Sequence, residues 1–116
     1  AFLSCIELAS NFFQLNLKTE KGGTALNYLK KRGLSEKIID EFHLGYAPRS
    51  GLNMFLKSIE CTEEVSKLAG LISTSERDGK NYDYFRDRII FPIQNRKGQV
   101  IAFWSKSFRR LSTKIS

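Results

Sequence analysis

The sequence predicts an α+β fold: several short helices followed by an antiparallel β-meander. Two observations carry this expectation. Apolar residues recur at helical spacing as far as Ala69, and after Gly70 the period changes to alternation, with β-branched and aromatic residues gathered in Ile89-Ile90-Phe91-Pro92-Ile93 and in Val100–Trp104. At 116 residues the chain is long enough for a core of its own and short of the size at which domains divide. It therefore reads as one domain, mainly helical over 1–70 and mainly β over 71–116 with a basic C-terminal tail. The opening Ala1-Phe2-Leu3 lacks an initiator methionine, so the expectation is a fragment of a longer chain.

The first helix is predicted over Phe2–Leu17, where Phe2, Ile6, Ala9 and Phe13 form a broad buried stripe. Lys18–Gly23 reads as a polar connector; its glycine pair lacks the spacing of a phosphate loop. Thr24 is the expected N-cap of a short helix closed by Gly33, with Lys30, Lys31 and Arg32 in the last turn complementing the helix dipole. Ser35 caps the next helix, Leu34 and Ile39 are placed as a hydrophobic staple, and Ile38 and Phe42 are expected on its buried side. His43 follows at the helix end, where it can cap carbonyls. Pro48 keeps Ala47 out of helical geometry, so Leu44–Pro48 is expected to be extended, as an edge strand. Two more short helices are predicted over Asn53–Ile59 and Thr62–Ala69. Then comes a polar hairpin loop, Ser73–Asn81, with Asp78-Gly79 as its turn signal.

The main strand is expected to begin before Ile89. On a pleated strand Arg86 and Arg88 leave one face about 6.6 Å apart, opposite Phe85, Ile89, Phe91 and Ile93. Two fixed cations at that spacing suit successive phosphates. Asn95–Gly98 then turns into Gln99–Trp104, where Val100, Ala102 and Trp104 share a face.

Charge points the same way. Residues 1–76 hold nine Lys/Arg and nine Asp/Glu, whereas 77–116 hold ten against three, so the whole net charge of +7 lies in the last third. Such asymmetry favours a polyanionic partner. Cys5 and Cys61 lack metal-ligand spacing and are expected to be structural thiols in a reducing compartment. No run approaches a membrane span and no leader pattern precedes the first helix, which sets the expectation of a soluble, cytoplasmic protein without a membrane partner.

Five stretches taken together resemble a known family. They are Tyr28-Leu29-x-x-Arg32-Gly33-Leu34-Ser35, Phe42-x-Leu44-Gly45-Tyr46-Ala47-Pro48, Ala69-Gly70-Leu71, Tyr82-Asp83-x-Phe85-Arg86-Asp87-Arg88-Ile89-x-Phe91-Pro92-Ile93, and Gly98-x-Val100-Ile101-Ala102-Phe103. In this order they resemble the bacterial-type DNA primases, specifically the N-terminal subdomain of the RNA polymerase core that precedes the TOPRIM domain. The resemblance implies the primase core fold and a template-binding role: single-stranded DNA is gripped here while RNA primer synthesis, a nucleotidyl transfer, is carried out by the TOPRIM domain. It implies no cofactor in this segment, Mg in the TOPRIM domain and Zn in a separate N-terminal domain of the parent protein. Partners implied are the DNA template, the TOPRIM domain of the same chain and, through the parent, a replicative helicase of the bacterial cytoplasm or a bacterial-derived compartment.

Residue by residue, the resemblance places template contacts at Arg32, Arg86 and Arg88. The chain departs from the family at Phe103-Trp104-Ser105-Lys106, where phenylalanine-glycine-glycine-arginine is usual. Lys106 keeps the charge but loses the bidentate fork, so it is a weaker contact. Trp104 reads as a core residue in preference to a base-stacking platform. Lys31, Arg109 and Lys114 complete the set of candidate contacts. No catalytic residue is expected, and the segment alone is expected to be inactive. Two other readings compete. A free-standing single-strand-binding module would use the same cations without an enzymatic partner. A metal-dependent nuclease would need convergent carboxylates, and Asp83 and Asp87 lack a third.

Overall fold

The computed structural model describes residues 2–108 of the chain. Helix α1 (Phe2–Leu17) is followed by a 3-10 turn over Glu20–Gly22 and by α2 (Gly23–Lys31), α3 (Glu36–Glu41), strand β1 (Gly45–Ala47), α4 (Leu52–Ser58) and α5 (Glu63–Leu68). Strands β2 (Ile72–Thr74), β3 (Asn81–Asp83), β4 (Arg88–Gln94) and β5 (Val100–Lys106) complete the order. The strands pair antiparallel in two sheets, β2 with β3 and β1-β4-β5 with β4 central. The hairpin loop is shorter than its polar composition suggests, because Thr74 pairs with Asn81 and extends the ladder into it.

Helix α1 lies across the three-stranded sheet. Its stripe of Cys5, Ile6, Ala9, Phe13 and Leu17 is buried, at the i, i+3, i+4 recurrence of an amphipathic helix. Close approach to β1 depends on Gly45, where a Cβ would stand 2.6 Å from the Phe13 Cβ. One core cluster, centred on Phe13, Leu52, Leu56, Phe85 and Ile90, fills the space between α1, α4 and the sheet. A second joins Leu17, Ala25, Leu29, Ile39, Tyr46, Ile89 and Phe108. Alternation in β4 thus sends Ile90 to one cluster and Ile89 to the other, so the sheet is covered on both faces at its β1 end.

Several local expectations need correction. The N-cap of α2 is Gly22, not Thr24, since the helix begins two residues earlier. In α3 the buried residue is Ile39, whereas Ile38 is 36% and Phe42 62% exposed; a helix of six residues presents only one narrow face. Ser35 does cap it, accepting from the Ile38 N–H at 3.2 Å. Gly33 takes φ 92° just past the α2 C-cap, the left-handed turn foreseen there. His43, at φ 59°, lies 3.4 Å from Gln14.

The cysteines also differ from expectation: Cys5 and Cys61 form a disulfide. Helix α1 carries Cys5 over the connection between α4 and α5, which brings the two Cα atoms to 6.0 Å, a bonding separation that their 56-residue spacing could not reveal.

Asp83 ties the two halves together. Its carboxylate is 5% exposed and accepts from the backbone N–H groups of Leu52 and Asn53, each at 3.0 Å, so it caps the start of α4 from across the fold. Asp83→Ala is expected to cost about 2 kcal/mol, because two buried donors lose a charged acceptor. Asp83→Asn should cost less, since the amide oxygen still accepts. Urea midpoints measure both; an unmoved midpoint for the alanine variant would mean that water replaces the cap.

Candidate nucleic-acid interface

Strand β4 begins at Arg88, so Arg86 stands in the bend between β3 and β4 rather than on the strand. Simple alternation therefore does not set the two arginines side by side. The backbone at Asp87 does this instead: it takes φ 56°, and its N–H donates to the Ala47 carbonyl at 2.7 Å. Both arginines line one surface groove of 430 Å³ with Arg49, Asp87 and Ser107. Arg88 is half-buried and its Nε donates to the Ser105 Oγ at 2.8 Å, which fixes the direction of the guanidinium. Arg86 is exposed, its guanidinium 4.9 Å above the Tyr82 ring. Among the described residues, neither has a carboxylate within ion-pair distance.

Arg49 is the cation that sequence reading missed. The β1–β4 register pairs Ala47 with Arg88, and two residues beyond Ala47 the chain brings Arg49 into the groove that Arg86 and Arg88 line. The signal was present in Gly45-Tyr46-Ala47-Pro48-Arg49 but needed the strand pairing to be read. Arg49 is held only loosely, 3.4 Å from Asp87 with its side chain 77% exposed. Asp87 also accepts from the Tyr46 hydroxyl at 2.6 Å. Arg49 further lines a depression of 320 Å³ with Lys21 and Tyr46, and another of 570 Å³ with Lys57, Tyr82 and Arg86. A basic path thus runs from Lys21 through Arg49, Arg86 and Arg88, with a branch to Lys57.

The other candidates stand apart from it. Lys31 and Arg32 are exposed at the end of α2, where the Arg32 guanidinium lies 5.0 Å over the Tyr28 ring. Among the described residues, ring contacts connect Tyr28 to Phe108, at 6.1 Å, and Phe108 to Tyr46, at 5.9 Å. Lys30 is engaged with Glu36 at 2.9 Å; that hydrogen bond and the nearby charges of Lys30 and Lys18 hold the Glu36 carboxyl below its ordinary range. Lys106 pairs with Ile89 across β4 and β5, so it lies on the face opposite Arg88. Trp104 shares the face of Lys106 and is no core residue: it is 55% exposed and rests against Phe91, ring centroids 5.0 Å apart. Phe91 itself packs at the margin of the second core cluster, and Trp104 lies beyond it. Arg109 and Lys114 lie outside the described residues.

The arrangement suits phosphate binding, not metal chemistry. Asp83 is consumed in capping α4 and Asp87 in holding Tyr46 and Arg49. Among the described residues, no three His, Cys, Asp or Glu side chains converge to hold an ion. No described helix is long and apolar enough to cross a membrane.

This α+β fold is shared with part of the catalytic core of bacterial DNA primases. Within them the chain belongs to the family of the DNA primase catalytic core, N-terminal domain, whose model matches residues 12–114. It is 39% identical over 104 residues to a DNA primase of Listeria monocytogenes, an alignment covering 88% of this chain and 16% of that protein. The E. coli primase catalytic core superposes with a TM-score of 0.84 at 32% identity, covering 98% of this chain and 37% of that one. A DnaG primase catalytic domain bound to ssDNA superposes with a TM-score of 0.83 at 32% identity, covering 97% and 37%.

Proposed function

We propose that this chain is the template-holding part of a DNA primase, gripping unpaired DNA in its basic groove while primers are made elsewhere in the parent protein. The observation that carries the reading is the groove itself: Arg86 and Arg88 line it together, oriented by Tyr82 and Ser105 and engaged by no described carboxylate. Its support from outside is the likeness to a primase domain bound to ssDNA. Guanidinium groups on phosphates bind any sequence and release counterions, which suits a strand that must move. Lys106, Lys31, Arg32 and Trp104, on other surfaces, would meet the strand or the parent protein beyond the groove; Arg109 and Lys114 belong to the same proposal.

The chain spans 16% of the Listeria primase, so the chemistry is assigned to the remainder: a TOPRIM domain with Mg for nucleotidyl transfer, a separate Zn domain, and contacts with a replicative helicase in the cytoplasm. A relative from Aquifex aeolicus was solved with both zinc-binding and RNA polymerase domains. The test is fluorescence anisotropy with an unpaired oligothymidylate over a salt series, beside a primer-synthesis assay. Binding that weakens steeply as salt rises, with no primers made, is the expected result. Affinity independent of salt would overturn the proposal.

A further inference from the structure

We infer that the 570 Å³ depression between α4 and β3 is a pocket for one unstacked base of the bound strand. The inference rests on the single-strand reading and extends it from phosphates to bases. The depression is of ligand size, and its composition differs from that of the groove it joins. Arg49 and Arg86 stand at the junction with the phosphate path, and Lys57 lies in the last turn of α4. Two apolar groups line it, Met54 at 76% and Tyr82 at 38% exposure. The Arg86 guanidinium over the Tyr82 ring makes a flat, cationic stacking surface, the type on which unpaired bases rest. Asn53 adds an amide able to donate to or accept from a base edge, and Asn81, whose Oδ1 accepts from the Thr74 hydroxyl at 2.8 Å, adds amide N–H donors.

The walls are also fixed relative to each other. Asp83 on β3 holds the first turn of α4 through its two 3.0 Å hydrogen bonds, so the pocket is built before a ligand arrives and little ordering is lost on binding. An acidic peptide would satisfy the cations but would leave the stacking surface and the amides unused, so the occupant is a nucleobase.

The test compares the 116-residue chain on an oligothymidylate and on an abasic strand with the same number of phosphates. Base stacking should favour the oligothymidylate by about tenfold. Tyr82→Ala should abolish that preference, and Met54→Ser, a neutral change at an exposed position that does not line the phosphate groove, should reduce it while leaving the salt dependence of both strands intact. Equal affinity for the two strands, or a preference that survives both substitutions, would overturn the base pocket while leaving phosphate binding standing. Displacement of the oligothymidylate by polyglutamate at equal charge would identify an acidic-peptide site and also overturn it. Loss of salt-dependent binding to either strand would instead remove the reading on which the pocket rests.

Discussion

Replacing Arg86 and Arg88 together by alanine is expected to weaken binding of an unpaired oligonucleotide on the order of a hundredfold at low salt, each arginine supplying a charged hydrogen bond worth about 1.5 kcal/mol or more. The dependence of log affinity on log salt should flatten by about 1.4, since each lost phosphate contact on a single strand removes about 0.7. The two arginines differ in how they fail singly. Arg88 is anchored to Ser105, so Arg88→Lys keeps the charge but loses both the anchor and the planar fork. Arg86 stands in the open over Tyr82, and Arg86→Lys should retain most of the binding. Anisotropy titrations at several salt concentrations, with circular dichroism as a check on folding, measure all of this. An unchanged slope in the double variant would assign the arginines to folding or to another partner.

The helical half of the chain was readable from local signals. Ser35 and Gly33 act through their own backbone neighbourhood, and the stripe on α1 is long enough for its period to be unambiguous. What could not be read was pairing between distant segments. Strand β1 has only three residues and its partner lies more than forty positions away, so nothing local announces that Ala47 faces Arg88 or that Arg49 enters the groove. For the same reason Arg86 looked like a strand residue: alternation was continued one step past the point where Asp87 turns the backbone. Its partnership with Arg88 survives on different grounds, a bend held by the Ala47 carbonyl. Trp104 shows the converse error. A large aromatic in an alternating strand reads as core, but β5 is an edge strand and Trp104 stays largely exposed on its face.

The disulfide provides the largest expected effect on stability. Cys5 and Cys61 close a loop across 56 positions, and the chain-entropy relation gives about 4 kcal/mol of stabilisation from restricting the unfolded chain. The oxidised chain should therefore unfold at a clearly higher urea concentration than the same chain in excess dithiothreitol, and a Cys5→Ala, Cys61→Ala variant should match the reduced form. Coincident midpoints for all three would show that the bridge contributes nothing. Native packing should survive reduction, because both side chains are buried, at 6% and 7% exposure, in the cluster that includes Phe13 and Leu56, where thiols pack as small apolar groups. Such bridges are rare in a reducing cytoplasm, so a primase working there would hold the pair as thiols and draw on the lower of the two stabilities. Binding is expected to be indifferent to the redox state under native conditions. The groove is built by β1, β4 and the Asp83 clamp on α4, and its arginines lie outside the core cluster that holds the bridge, which joins α1 to the segment just before α5. Equal oligonucleotide affinity with unequal urea midpoints is thus the expected pair of results, and a loss of affinity on reduction would mean that α1 shifts against the sheet when the bridge opens.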